Sequence, residues 1–224
     1  MISKTEGISI NYIKYKDTSI IARVFTRDYG LQSLIINGIR SKKSRKNPGY
    51  FEPFSVLELV LYWSKDKDLH RLSEYRPKHM MSNIRADMKK STITLFLSEV
   101  LAKVLQSEKQ ENLALFQFLE ASVVAFDHAT ENDENFHLQF LIKLTTFLGF
   151  GFEPSLIQEQ FVTGQATQID DFTEALSREE FFAPIPASGK MRSETLDMIL
   201  KYYQYHLGHT LEIQSLEVLK SVFR

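Results

Sequence analysis

The residues best placed to do chemistry are cations. Arg40, Lys42, Lys43, Arg45 and Lys46 put five positive charges into seven positions, and Asn47-Pro48-Gly49 turns the chain immediately afterwards. A basic loop of this kind neutralises a polyanion. Each Lys or Arg that meets a phosphate releases condensed counterions, so binding is salt-sensitive and nearly blind to base sequence. Arg23 and Arg27, on an extended segment upstream, add to the same set. The competing account is a solvated loop whose lysines serve solubility.

Catalytic chemistry finds little support. No Gly-rich loop ends in Lys-Ser or Lys-Thr, so ATP hydrolysis has no apparatus. Gly149-Phe150-Gly151 reads as punctuation at a helix end. His206 and His209 stand three apart with no third ligand near in sequence, which favours packing or capping over metal binding. Asp170-Asp171 and Glu179-Glu180 read as solvated pairs, and a metal-dependent nuclease built on them is the enzymatic alternative. With zero cysteines, disulfides and thiolate-held metals are excluded. The expectation is a non-enzymatic protein with no cofactor and no metal.

The 224 residues suffice for one large or two small domains, and 43% hydrophobic with 25% charged residues is ordinary globular composition. No apolar run is long enough to span a bilayer, and Met1-Ile2-Ser3-Lys4 opens without the apolar core of an export signal. A cytoplasmic location is expected. The net charge of −1 hides a split: residues 1–80 carry a balance of +7 and residues 81–224 one of −8. Two domains with different partners follow, a basic one for nucleic acid and an acidic one for proteins.

The elements that must carry these charges begin as strands. Ile8, Ile10 and Tyr12 alternate with Ser9 and Asn11, the period of a half-buried strand. Ser19 to Arg27 is a second strand, Asp28-Tyr29-Gly30 a three-residue turn with a left-handed Gly, and Leu31 to Gly38 a third strand. Phe25 shares a face with Arg23 and Arg27, either as a base-stacking platform or as core with the arginines at the rim; the second is preferred. Tyr50, Phe51, Tyr62 and Trp63 are further stacking candidates, with core packing the preferred reading of each. Phe54 to Trp63 and Leu69 to Arg76 complete five strands around the polar loop Lys65-Asp66-Lys67-Asp68. Five short antiparallel strands fit a closed barrel, with the OB-fold ahead of an SH3-like barrel that periodicity does not exclude.

From Ser82 the period becomes helical. Ile93, Phe96, Leu97, Val100, Leu101, Val104 and Leu105 draw one apolar stripe, and 112–126 and 135–150 are apolar nearly all round. Residues 153–190 are irregular, with a capping-box pattern at Ser177-Arg178-Glu179-Glu180 predicting a helix start and Ala183-Pro184-Ile185-Pro186 predicting extended chain. Ser193 to Leu207 is amphipathic and ends at Gly208, and 215–223 forms a last short helix. The fold class is therefore α+β and multidomain: a five-stranded OB-fold barrel over 1–80, then an α-helical domain over 81–224.

With these residues laid out, the chain resembles the RecO family of bacterial DNA repair proteins over nearly its whole length. The likeness rests on Thr5-Glu6-Gly7-Ile8, Tyr15-Lys16-Asp17-Thr18-Ser19 and Phe25-Thr26-Arg27-Asp28-Tyr29-Gly30. It continues through Asn37-Gly38-Ile39-Arg40, Lys42-Lys43-Ser44-Arg45 and Phe51-Glu52-Pro53-Phe54, and in the second half through Phe147-Leu148-Gly149-Phe150, Pro154, His206-Leu207-Gly208 and Leu216. The resemblance implies a recombination mediator that binds single- and double-stranded DNA and anneals complementary strands. It also implies help in loading recombinase onto strands coated with single-strand-binding protein (SSB). Implied partners are RecR and the acidic, Phe-ended tail of SSB, with a nucleoid-associated location. Many members carry a four-cysteine zinc site after Leu-Gly-Phe; residues 153–190 hold no cysteine, so zinc is not carried over.

A Phe-ended tail needs an apolar pocket and a cation for its carboxylate. Lys143 beside Phe140, Leu144 and Phe147 is the preferred set, with Lys103 and Lys201 as alternatives. Two other classes stay open: a protein-interaction adaptor whose basic loop meets an acidic partner, and a generic RNA-binding barrel.

Overall fold

Fourteen residues, Ile2–Tyr15, form one long strand (β1) that serves two neighbours at once. In the computed structural model, which describes residues 1–41, 47–153 and 166–222 (166–168 as backbone only), β1 pairs antiparallel with β4 (Val56–Tyr62) through its first half. Its second half pairs antiparallel with β2 (Ser19–Thr26). The hand-over is made at Ser9–Asn11, where the register with β2 shifts by a bulge. That bulge breaks the simple alternation expected from the sequence: Ser9 is buried together with Ile8 and Ile10. Its hydroxyl donates to the Phe51 carbonyl at 2.7 Å, and its main chain bonds Phe54 and Ser55, so the polar group is satisfied inside.

β2 pairs antiparallel with β3 (Gly30–Ile36), and β4 with β5 (Leu69–Pro77). Parallel pairing of β3 with β5, Ser33–Ile35 against Leu69–Arg71, closes the barrel in the order β1-β2-β3-β5-β4. That closure, a Greek-key barrel of five strands, is the OB-like arrangement and decides between the two barrels the periodicity left open. The core is Ile20, Ala22, Val24, Leu34, Ile36, Ile39, Phe51, Leu57, Leu59, Leu61 and Leu72. Each large apolar side chain so buried contributes about 1.5–3 kcal/mol.

Seven helices follow among the described residues: α1 (Ser82–Ala86), α2 (Met88–Val104), α3 (Leu113–His128), α4 (Phe136–Phe147), α5 (Ala166–Arg178), α6 (Gly189–Leu207) and α7 (Leu216–Val222). The Asp87 carboxylate caps α2 by accepting from the Lys90 amide at 2.9 Å, and the α2 stripe predicted from Ile93 to Leu105 is buried throughout. The chain forms two compact units, Met1–Asp127 and His128–Arg224, and the switch to helical period at residue 82 falls inside the first.

In that first unit the barrel and α1–α3 are tied by main-chain contacts. Gly30 sits at φ +63°, and a Cβ there would run into the main-chain oxygens of Glu108 and Gln110. Here a glycine is required twice over, by conformation and by space.

In the second unit α4 is buried on nearly every face, as its composition predicts. Tyr203 donates its hydroxyl to the Leu141 carbonyl at 2.7 Å, and Asn135 donates to the Ile185 carbonyl at 2.7 Å. The Ser177-Arg178-Glu179-Glu180 pattern does not start a helix. It lies where α5 ends, and Gln139 of α4 reaches the Glu180 carbonyl at 3.0 Å. The N-terminal cap in this region belongs to Ser188, whose hydroxyl accepts from the Met191 amide at 3.1 Å and starts α6 four residues earlier than periodicity indicates. Gly208 ends α6 in the left-handed conformation at φ +72°, as expected.

Candidate nucleic-acid interface

The basic segment is held by both of its ends. After β3 the chain turns at Gly38 (φ +70°), plugs Ile39 into the barrel core and emerges at Arg40. The Arg40 amide donates to the Thr18 carbonyl at 2.9 Å and its guanidinium to the Lys16 carbonyl at 3.3 Å. Arg40 thereby joins Lys16 at the β1–β2 turn, both cations exposed at one rim of the barrel, with exposed Lys14 two residues upstream on β1. On the return side, Asn47 caps the short 3-10 turn Pro48–Phe51 by accepting from the Gly49 amide at 2.9 Å. Phe51 is fully buried, and the Tyr75 ring lies edge-on to it at 4.9 Å and to Tyr50 at 6.0 Å. Burial pushes the Tyr75 phenol above its usual range. Lys42, Lys43, Arg45 and Lys46 lie outside the described residues, between these two anchors.

Arg23 and Arg27 are placed elsewhere. Arg23, half-buried on β2, donates to the Ala102 carbonyl at 3.3 Å. Arg27 lies just beyond the far end of β2 from Arg40, about 25 Å away at the usual rise per strand residue. It pairs with Glu6 at 3.2 Å, inside a network in which Lys78 meets Glu6 at 2.8 Å and Glu120 at 2.7 Å, with His79 also on Glu120. Burial raises the Glu6 carboxyl, but Lys78 and Arg27 outweigh it and the net shift is downward. Burial likewise opposes the Lys78 ammonium, yet Glu120 and Glu6 carry it upward. Arg23, Arg27 and Arg40 therefore do not share one patch.

Phe25 is wholly buried, which settles it as core. Tyr62 is exposed beneath the Arg71 guanidinium, and Trp63 stacks on Tyr29 with ring centres 4.5 Å apart. A second cationic group, Lys65, Lys67 and Lys109 beside Arg23, has no signature in residue spacing. Lys65-Asp66-Lys67-Asp68 sums to zero charge and reads as a polar turn, while Lys109 is remote in the chain.

In the second unit the Lys143 ammonium donates to the Ser177 carbonyl at 3.3 Å and lies 5.7 Å from the Phe181 ring centre, and Phe147 is half-buried at the end of α4. Lys201 instead lines an open pocket with Gln204, Tyr205, Gly208, His209 and Thr210. His206 stacks on Phe150 at 4.7 Å, and His209 Nδ1 lies 3.1 Å from the Leu207 carbonyl oxygen. Among the described residues no three His, Asp or Glu side chains gather as metal ligands, and no helix is long and apolar enough to cross a membrane.

Two family models match the chain, Recombination protein O N terminal over residues 1–81 and Recombination protein O C terminal over residues 85–164. The DNA repair protein RecO of Flavobacterium psychrophilum is 31% identical over 98% of both chains. Those of Phocaeicola vulgatus and Bacteroides fragilis are 29% and 30% identical, each over the full length of both chains.

Proposed function

Because the chain belongs to the RecO family of DNA repair proteins, we propose that it is a recombination mediator: it binds single- and double-stranded DNA, anneals complementary strands, and assists recombinase loading on SSB-coated strands together with RecR. The observation that carries this reading is the anchored basic segment. An OB-like barrel holds Arg40 against Lys16 and anchors the chain on either side of Lys42, Lys43, Arg45 and Lys46. Annealing in this scheme needs no catalytic residue. The cations screen the repulsion between two phosphate backbones, and base pairing supplies the selectivity.

The acidic second half docks protein partners. A lysine beside aromatic side chains suits a tail that ends in Phe: Lys143 precedes Phe147 by one turn of α4, and Lys201 lines an open pocket with Tyr205. Tethering to protein-coated DNA raises the local concentration of the barrel without any new strand contact. RecR is proposed as a partner of the assembled complex, and a bacterial cytoplasmic, nucleoid-associated location follows from the substrate.

The test is a salt titration of single-stranded DNA affinity, comparing the native chain with Lys42→Ala, Lys43→Ala, Arg45→Ala and Lys46→Ala combined. Four lost phosphate contacts should flatten the log–log slope by about 3. Equal slopes would remove the loop from the interface, and loss of annealing with retained binding to an acidic protein would favour an adaptor.

A further inference from the structure

Beside the β3–β5 pair lies a cleft of about 370 Å³. Its wall carries Arg23, Lys65, Lys67 and Lys109 against a single carboxylate, Asp68. Lys65 and Lys67 form no ion pair among the described residues, and the Lys109–Asp68 pair is long at 3.7 Å and exposed, so it is weak. Arg23 is fixed by the Ala102 carbonyl, which orients its guanidinium.

The inner wall is aromatic and already packed. Trp63 stacks on Tyr29 and lies nearly parallel to His70, with ring centres 6.3 Å apart and an interplanar angle of 18°. Those rings satisfy one another, so the cleft works by charge and hydrogen bonding. His70 is 1% exposed, lines the cleft, and its Nδ1 has no hydrogen-bond partner. The ring stands behind a wall of cations, where burial and the Lys67 charge keep it neutral.

We infer that this cleft is an oxyanion subsite that takes a phosphate group of a DNA strand, with Arg23, Lys65, Lys67 and Lys109 around the anion and His70 closing the inner wall. The inference rests on the DNA-binding reading above and adds a second contact to it. Three features favour phosphate over a peptide carboxylate. Four cations suit a group with several charged oxygens, Ser33, Ser64 and Gln106 add neutral donors, and the β4–β5 loop is where OB barrels meet oligonucleotides. The charged groups facing the cleft are Arg23 from β2, Lys65, Lys67 and Asp68 from the β4–β5 loop, and Lys109 from the segment after α2.

Trp63 is the only tryptophan in the chain, so its fluorescence reports on this wall. Sulfate, a dianion at every pH used, is titrated at constant ionic strength against chloride. A saturable change is expected, weakened about tenfold by Lys65→Ala with Lys67→Ala. Oligonucleotides with a 5′-phosphate or a 5′-hydroxyl are then compared. A preference for the phosphorylated strand assigns a terminal monoester. Equal affinities, both reduced in the double variant, assign an internal diester. No saturable response, or sulfate binding with oligonucleotide affinity untouched in the variant, overturns the inference. Neither result touches the basic-loop slope, which tests the broader reading separately. Displacement of sulfate by an acidic peptide but not by DNA would also overturn it.

Discussion

The main-chain amide of Leu31 donates to the carbonyl of Glu108 at 2.6 Å, joining the start of β3 to the segment between α2 and α3. Gly30 makes this approach possible. Gly30→Ala combines a strained positive φ with overlap against main-chain oxygen, so about 2–5 kcal/mol of stability should be lost. Gly38→Ala, at a similar φ of +70° but with nothing within 4 Å, should cost about 1 kcal/mol. Urea unfolding of both variants checks the contrast. Equal losses would mean that conformation alone matters.

The Glu6–Lys78–Glu120 network gives the first unit a dependence on acid. The Glu6 carboxyl is depressed when folded, so its stabilisation is present above the ordinary carboxylate value and lost as pH falls through the folded one. Glu6→Gln should cost about 1 kcal/mol at pH 7 and almost nothing at pH 3. Urea midpoints at the two pH values measure this.

His70 acts in a different window. Burial, helped by the Lys67 charge and opposed by main-chain hydrogen bonding at Tyr62 and Lys67 and by Asp68, lowers its imidazole below the ordinary value of about 6.5. The folded chain thus holds fewer protons than the unfolded one, and stability should be complete above pH 7 and fall as the pH drops through 6. Thermal unfolding between pH 8 and 5 should show this decline in the native chain and not in His70→Gln.

The strands and helices were legible because burial has a period: Ile93 to Leu105 reads as one stripe and is one. The loop cations were legible as a cluster in sequence. What escaped depends on contacts remote in sequence. Ser9 broke the alternation because a bulge and the Phe51 carbonyl accept it into the core, and Ser177 resembled a helix start without the flanking backbone to make one. The cleft around His70 joins β2, β3, the β4–β5 loop and the segment after α2, which no local pattern encodes.

Two lysines compete for the proposed tail site. Lys143 already donates to the Ser177 carbonyl, whereas Lys201 faces an open pocket beside Tyr205. If the tail docks at α6, Lys201→Ala should weaken a Phe-ended acidic peptide by about three- to tenfold, as expected for one charge-assisted contact, and Lys143→Ala should leave it near the native value. Calorimetry on the two variants separates the sites, and the reverse pattern would assign α4 and Phe147.

The barrel is closed by a seam of Ser33–Ile35 against Leu69–Arg71, much shorter than the β1–β2, β2–β3 or β1–β4 ladders. A short parallel ladder is the cheapest place for such a wall to part, and local opening concentrates where few bonds must break together. The cylinder therefore behaves like a cuff with one clasp. Amides bonded across this seam should exchange their hydrogens ahead of those in the longer ladders, and an anion bridging β3 and the β4–β5 loop would fasten the clasp.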